Sequence, residues 1–119
     1  MSRRRVLIVD DNAEFRQLAR RLLEHGGYEV VGEADDAAGA LRDHAALRPE
    51  IVLLDVQLPD LDGFAIADIL AAEETPPIVV LISSRDRGAY RIKLAATSAR
   101  AFLPKGELSV RAFDQAVSA

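Results

Sequence analysis

The sequence predicts an α/β fold: one domain whose open parallel sheet is covered by helices on both faces. Two observations carry this. Short all-apolar runs alternate with amphipathic stretches five times along the chain. The connections between them are short, and none carries a hairpin signal. The 119 residues suffice for one real core but not for two. No linker, internal repeat or low-complexity segment interrupts the alternation.

The first strand is Arg5–Asp10, RVLIVD, a β-branched run ending in acid. Asn12 or Asp11 caps the helix that follows, where Phe15, Leu18, Ala19, Leu22 and Leu23 recur at helical spacing and Arg16, Arg20, Arg21 and Glu24 form a solvated face. Gly26-Gly27 ends that helix. Tyr28–Gly32 is a second strand, and Asp35 or Asp36 caps a helix with Ala38, Leu41 and Ala45 inward, closed off before Pro49. The third strand, about Glu50–Asp55, contains the unbroken run IVLL, which suits burial on both faces. A turn with Pro59 and Asp62-Gly63 leads to a helix from Gly63 to Glu73, which Pro76-Pro77 terminates. Ile78–Ile82 is the fourth strand. Arg85 to Thr97 is a less regular helix with Ala89, Ile92 and Ala96 on one face and Tyr90 and Leu94 beside it. Ala101-Phe102-Leu103 is a short fifth strand, and Leu108–Val117 a last helix with Ala112, Phe113, Ala116 and Val117 inward.

Composition narrows the function. Half the residues are apolar and 29% are charged, ordinary for a soluble protein. A net charge of -4 gives no electrostatic case for nucleic acid or an anionic membrane. The absence of cysteine excludes disulfides, thiolate metal sites and a cysteine nucleophile. Ser2-Arg3-Arg4-Arg5 is followed by too short an apolar run for a signal peptide, and no stretch reaches the length of a membrane span. A soluble cytoplasmic domain is expected. His25 and His44 are expected on the surface.

Chemistry collects at the carboxyl ends of the strands, where open α/β sheets bind ligands. The first strand ends in Asp10-Asp11, the third in Asp55, the fourth at Ser83-Ser84, and Lys105 follows the fifth. Carboxylates about 5 Å apart repel by roughly 3 kcal/mol per pair at an effective dielectric near 20, so such a cluster needs a cation. Oxygen donors without histidine or thiolate favour a hard ion such as Mg²⁺. A lysine and a hydroxyl opposite the metal suit the remaining oxygens of a phosphoryl group, which makes the constellation one for phosphoryl chemistry on a carboxylate. Taken singly, Asp10 and Asp11 read equally well as helix caps, Lys105 as a solvated charge, Phe102 as plain core, and either Ser83 or Ser84 as a loop hydroxyl.

In this order, Asp10-Asp11, Asp55 in LLDVQLPDLDG, Ser83 in VLISS and Lys105 in AFLPKG resemble the receiver domain of a bacterial two-component response regulator, over the whole chain. The resemblance implies a flavodoxin-like strand order 2-1-3-4-5; a member of this family is one of the standard examples of that order. It implies that Asp55 accepts a phosphoryl group from a sensor histidine kinase or phosphotransfer protein. Asp11, Asp55 and the backbone carbonyl of Gln57 would ligate Mg²⁺, with Asp10 acting largely through a metal-bound water. Lys105 and Ser83 would hold phosphoryl oxygens. Ser83 and Phe102 would form the switch that changes the face of the fourth helix, fifth strand and fifth helix, a surface that also offers a homodimer contact. Arginines of the first helix would belong to a kinase-docking surface.

The chain departs from the family's pattern in three places. Gly106 rather than proline follows Lys105, Phe102 lacks a tyrosine hydroxyl, and bulky Gln57 and Arg85 occupy positions that tune phosphoryl lifetime in the family. Two rival functions remain: a phosphatase or phosphotransferase with an aspartate nucleophile, and a receiver-like module working without phosphate. Enzymes of the first class typically carry a second acid two residues after the nucleophile, where this chain has Gln57. The intact acidic pair, acceptor and lysine speak against the second. Residues 1–119 are expected to form the receiver alone, with no output domain and no direct nucleic-acid binding, although SSRD and AFLPKGEL look most like regulators with a helix-turn-helix output domain.

Overall fold

A computed structural model describes residues 3–119; Ser2, at the head of the basic lead-in, lies outside the described residues. The strands are β1 (Arg5–Val9), β2 (Glu29–Ala34), β3 (Ile51–Asp55), β4 (Ile78–Ser83) and β5 (Ala101–Pro104). The helices are α1 (Ala13–His25), α2 (Ala37–Leu47), α3 (Gly63–Ala71), α4 (Arg91–Ala96) and α5 (Val110–Ser118), with 3-10 turns at Arg87–Tyr90 and Lys105–Glu107. All neighbouring strands are parallel, in the order β2-β1-β3-β4-β5.

Alternation along the central strands divides the core in two. Leu7, Val9, Val52, Leu54, Val79, Leu81 and Phe102 face α2, α3 and the start of α4. Val6, Ile8, Ile51, Leu53, Val80, Ile82 and Leu103 face α1 and α5. The apolar runs without alternation are therefore strands buried on both sides, as IVLL foretold. Phe113 of α5 is fully buried, with the Tyr28 ring edge-on at 4.9 Å. Burial of such a side chain stabilises by about 1.5–3 kcal/mol.

Local chemistry settles the open capping choices. Asn12 rather than Asp11 caps α1, and Asp36 rather than Asp35 caps α2; Asp62 and Ser109 cap α3 and α5. At the other end of α1, Gly27 adopts φ +95°, which lets the chain reverse into β2.

The helix faces differ from expectation in three places. In α2 the buried residues are Ala37, Gly39, Ala40 and His44, while Ala38 and Ala45 are exposed and Leu41 is half-buried. Five alanines give that helix little apolar contrast, and its imidazole packs inward; His44 is 3% exposed, not a surface residue. In α1, Leu18 is 54% exposed, whereas Arg16 and Arg20 are half-buried on Glu33 rather than solvated. The fourth helix is broken into a 3-10 turn and a short α-helix, and its expected inward face, Ala89, Ile92 and Ala96, is exposed. Tyr90 and Leu94 face the core instead, because the Phe64 and Phe102 rings hold Tyr90 from either side. His25 is exposed, as expected. Among the described residues, no helix is long and apolar enough to cross a membrane.

Candidate functional site

The carboxyl edge brings the predicted acids together. Asp10 directly follows β1, and its N–H donates to Ala34 O (3.0 Å), extending the β1–β2 ladder. Its carboxylate is fully buried and accepts from Asn12 N–H (2.9 Å). Arg16 donates to the Asp10 carbonyl (2.6 Å) and pairs with Glu33 (3.1 Å), so α1 and β2 together fix the acidic loop. Asp11 is exposed beside it.

Asp55 ends β3 with 4% exposure. Its Oδ1 accepts from Gln57 N–H (3.0 Å), and its Oδ2 lies 3.3 Å from Lys105 Nζ. Room behind it depends on Gly63: a Cβ there would stand 2.4 Å from Asp55 O and 2.9 Å from Val56 Cα. Asp60, in the same loop, accepts from Ala37 and Ala38 N–H (2.8 and 3.0 Å), tying the loop to the N-terminus of α2. Those two bonds hold the Asp60 carboxyl below the usual carboxylate range.

One oxygen from each of Asp10, Asp11 and Asp55 lies within 4.8 Å of the others. Lys105 Nζ pairs with Asp10 Oδ2 at 2.6 Å. A compact set of three carboxylates, with neither histidine nor thiolate among them, fits Mg²⁺. Burial pushes the Asp55 carboxyl up to about 6; the Gln57 N–H opposes this, Asp10 adds to it, and Lys105 opposes it. Burial pulls the Lys105 ammonium down, but contact with Asp10 and the charges of Asp55 and Asp10 outweigh it and raise it. Gln57, Ser84, Phe15 and Leu18 complete the open cleft over the acids.

Ser83 is fully buried at the end of β4 and faces Tyr90: Oγ to Oη is 3.1 Å, and Oγ also accepts from Arg85 N–H (3.1 Å). It is Ser84 that lines the cleft. Phe102 is buried, with Tyr90 edge-on at 5.9 Å and the Arg87 guanidinium over its ring at 5.9 Å. Among the described residues every peptide bond is trans, and Lys105 opens a 3-10 turn.

The sequence profile of the response regulator receiver domain matches residues 6–117. The chain belongs to the response regulator receiver family. The transcriptional regulatory protein PdtaR of Mycobacterium tuberculosis is 35% identical to this receiver over 119 residues, 92% of this chain and 58% of PdtaR. A protein-glutamate methylesterase/protein-glutamine glutaminase of Hahella chejuensis is 41% identical over 83 residues, 70% of this chain and 24% of that protein. The receiver thus spans less than two thirds of either relative. The signal receiver domain of NarL from Mycobacterium tuberculosis superposes with a TM-score of 0.88 at 34% identity, covering 100% of this chain and 99% of that one. As a receiver of the two-component type, the domain is a phosphorylation-dependent regulatory module. Receiver domains bind Mg²⁺ through acidic residues and interact with histidine kinases or phosphotransfer proteins.

Reasoning from the sequence assembled the acids and the lysine but missed Tyr90, Arg16 and Asp60 as supports of the site. Asp60 lies in sequence beside the N-terminus of α3, whereas its carboxylate bonds the N-terminus of α2, so local sequence carried no signal for it. Tyr90 had only its spacing from Ser83.

Proposed function

We propose that this receiver is a signalling switch in which Asp55 accepts a phosphoryl group from the phosphohistidine of a sensor kinase or phosphotransfer protein in the cytoplasm. The observation that carries the reading is the Asp10, Asp11 and Asp55 oxygen cluster, within 4.8 Å, bridged by Lys105. An Asp55 carboxylate oxygen attacks phosphorus, an O–P bond forms, the P–N bond breaks, and its electron pair returns to the imidazole nitrogen. Asp11, Asp55 and the Gln57 carbonyl would hold Mg²⁺, which spreads the charge of the phosphoryl oxygens when bound. Lys105 shifts from the carboxylates to a phosphoryl oxygen, and the charge of Asp10, buried nearby, keeps the ammonium protonated. Gln57 N–H fixes one Asp55 oxygen, which leaves the other to react.

The phosphoryl group adds about -1.5 to -2 charge. Ser83 turns from Tyr90 toward it, which loosens the segment that carries Tyr90, and Phe102 repacks against that change. The face of α4, β5 and α5 is the expected output and dimer surface; Ile92 stands 83% exposed on it. This is population shift between two packings, not turnover catalysis. Residues 1–119 act as the receiver itself, without direct nucleic-acid or membrane contact.

Incubation with acetyl phosphate and Mg²⁺ followed by intact-mass measurement tests the reading, with Asp55→Asn as control. A stable gain of one phosphate that needs both Mg²⁺ and Asp55 supports it. Rapid turnover of many phosphoesters would favour an aspartate-nucleophile enzyme, and no adduct would favour a phosphate-independent module.

A further inference from the structure

Lys105 has a third neighbour that the phosphoryl reading does not use. On one side its Nζ meets Asp10 Oδ2 at 2.6 Å and Asp55 Oδ2 at 3.3 Å; its distance to the Phe15 ring centroid is 4.6 Å. Phe15 belongs to the first turn of α1, and its N–H donates to Asn12 Oδ1 (3.0 Å), so the ring is anchored to the loop that carries the acidic pair. The ring is half-buried against the α1/α5 side of the core and lines the mouth of the cleft. Only six aromatic residues, four Phe and two Tyr, occur in the chain, and this one sits against the site's lysine.

A lysine ammonium is a compact charge on a flexible four-carbon stem. Two carboxylates alone would hold it on the acids, and its stem alone would let it swing into solvent. An aromatic face attracts a cation without demanding a particular N–H direction. The nitrogen can therefore exchange one set of oxygens for another while it stays over the ring. The same ring covers part of the lysine from water, which strengthens its pairing with whichever anion lies below.

We propose that Phe15 is a positioning residue whose ring face seats the Lys105 ammonium, so that the nitrogen stays at the cleft as its partner changes from Asp10 and Asp55 to a phosphoryl oxygen. This rests on the reading of Asp55 as phosphoacceptor. The alternative is a side chain that merely fills the rim of the core, and the two differ in what replaces the ring. A filler tolerates any apolar group of similar size; a seat needs an aromatic face.

The test compares phosphorylation rates with acetyl phosphate at saturating Mg²⁺ for the wild type, Phe15→Leu, Phe15→Tyr, Lys105→Ala and the double variant Phe15→Leu/Lys105→Ala. Phe15→Leu should slow the reaction by about three- to tenfold, while Phe15→Tyr stays within about twofold of the wild type. In the Lys105→Ala background, Phe15→Leu should cost nothing further, since the ring acts through that ammonium. Melting temperatures check the fold, and Phe15→Met, another apolar side chain without a π face, repeats the comparison if the leucine variant melts early. The proposal is overturned if Phe15→Leu matches the wild type, if Phe15→Tyr is as slow as Phe15→Leu, or if the loss persists without Lys105. A wild type that gains no phosphate at Asp55 overturns the phosphoacceptor reading and this inference with it; a normal wild type with an unaffected leucine variant overturns this inference alone.

Discussion

Ser83 Oγ and Tyr90 Oη lie 3.1 Å apart, which ties the end of β4 to the segment that opens the output face. The same tyrosine ring meets Phe64 and Phe102, at 5.6 and 5.9 Å between centroids. In the proposed switch, Ser83, buried and turned toward Tyr90, leaves it to reach a phosphoryl oxygen. A net hydrogen bond of about 0.5–1.5 kcal/mol is lost in that exchange. Tyr90→Phe keeps the ring and removes the bond, so the variant should bind Mg²⁺ with the phosphoryl analogue beryllium trifluoride about two- to tenfold tighter, read by calorimetry. Unchanged or weaker binding would count against a Ser83–Tyr90 latch.

Gly63 is the second point of tension. Its missing Cβ would stand 2.4 Å from Asp55 O, and that atom is backbone that cannot swing away. Gly63→Ala should destabilise the domain by about 1–3 kcal/mol, as overpacking does, and displace Asp55. Thermal melting with and without Mg²⁺ checks both effects: the variant should melt earlier and gain less from Mg²⁺. A variant that melts with the wild type would show that the loop has room.

In the proposed site, Lys105 and Mg²⁺ would compete for the Asp10 and Asp55 carboxylates. With Nζ 2.6 Å from Asp10 and 3.3 Å from Asp55, the ammonium repels an incoming cation. Lys105→Ala should therefore bind Mg²⁺ at least about tenfold tighter while phosphorylating more slowly. Calorimetric titration in low salt reads the first effect, and an unchanged affinity would place the metal outside the reach of Lys105.

The acids and the lysine were legible in the sequence because each stands at the end of a run too apolar to tolerate a charge elsewhere. A parallel sheet then delivers such ends to one edge whatever the details of packing. Asp55 after IVLL is the clearest case. The face of α4 was not legible: Ala89, Ile92 and Ala96 form the more regular apolar stripe, yet Tyr90 and Leu94 turn inward. What decides it is the slot between the Phe64 and Phe102 rings, contributed by α3 and β5, which no local pattern in α4 encodes. His44 was misplaced for a related reason. The alanines of α2 give its faces little apolar contrast, so no local pattern shows which side, and with it the imidazole, turns inward.

His44 makes stability depend on pH. Burial holds its imidazole below the ordinary value of 6.5, with the Glu73 charge opposing and the Arg48 charge assisting. Between the lowered folded value and the unfolded one, the unfolded chain binds more protons, so the histidine's contribution falls as pH drops below about 6.5. His44→Leu removes this term. Melting temperatures taken from about pH 7.5 down to about pH 5.5 should move in favour of the variant relative to the wild type. A difference that does not change with pH would mean that His44 is not buried neutral.

The central claim is that Asp55 carries the phosphoryl group, and chemical trapping addresses it most directly. Borohydride reduces an aspartyl phosphate to homoserine, so peptide mapping after treatment with acetyl phosphate, Mg²⁺ and borohydride locates the modified residue. Homoserine at position 55, absent when Mg²⁺ is chelated, is the expected result; homoserine at position 10 or 11, or none anywhere in a protein that has bound Mg²⁺, would contradict it.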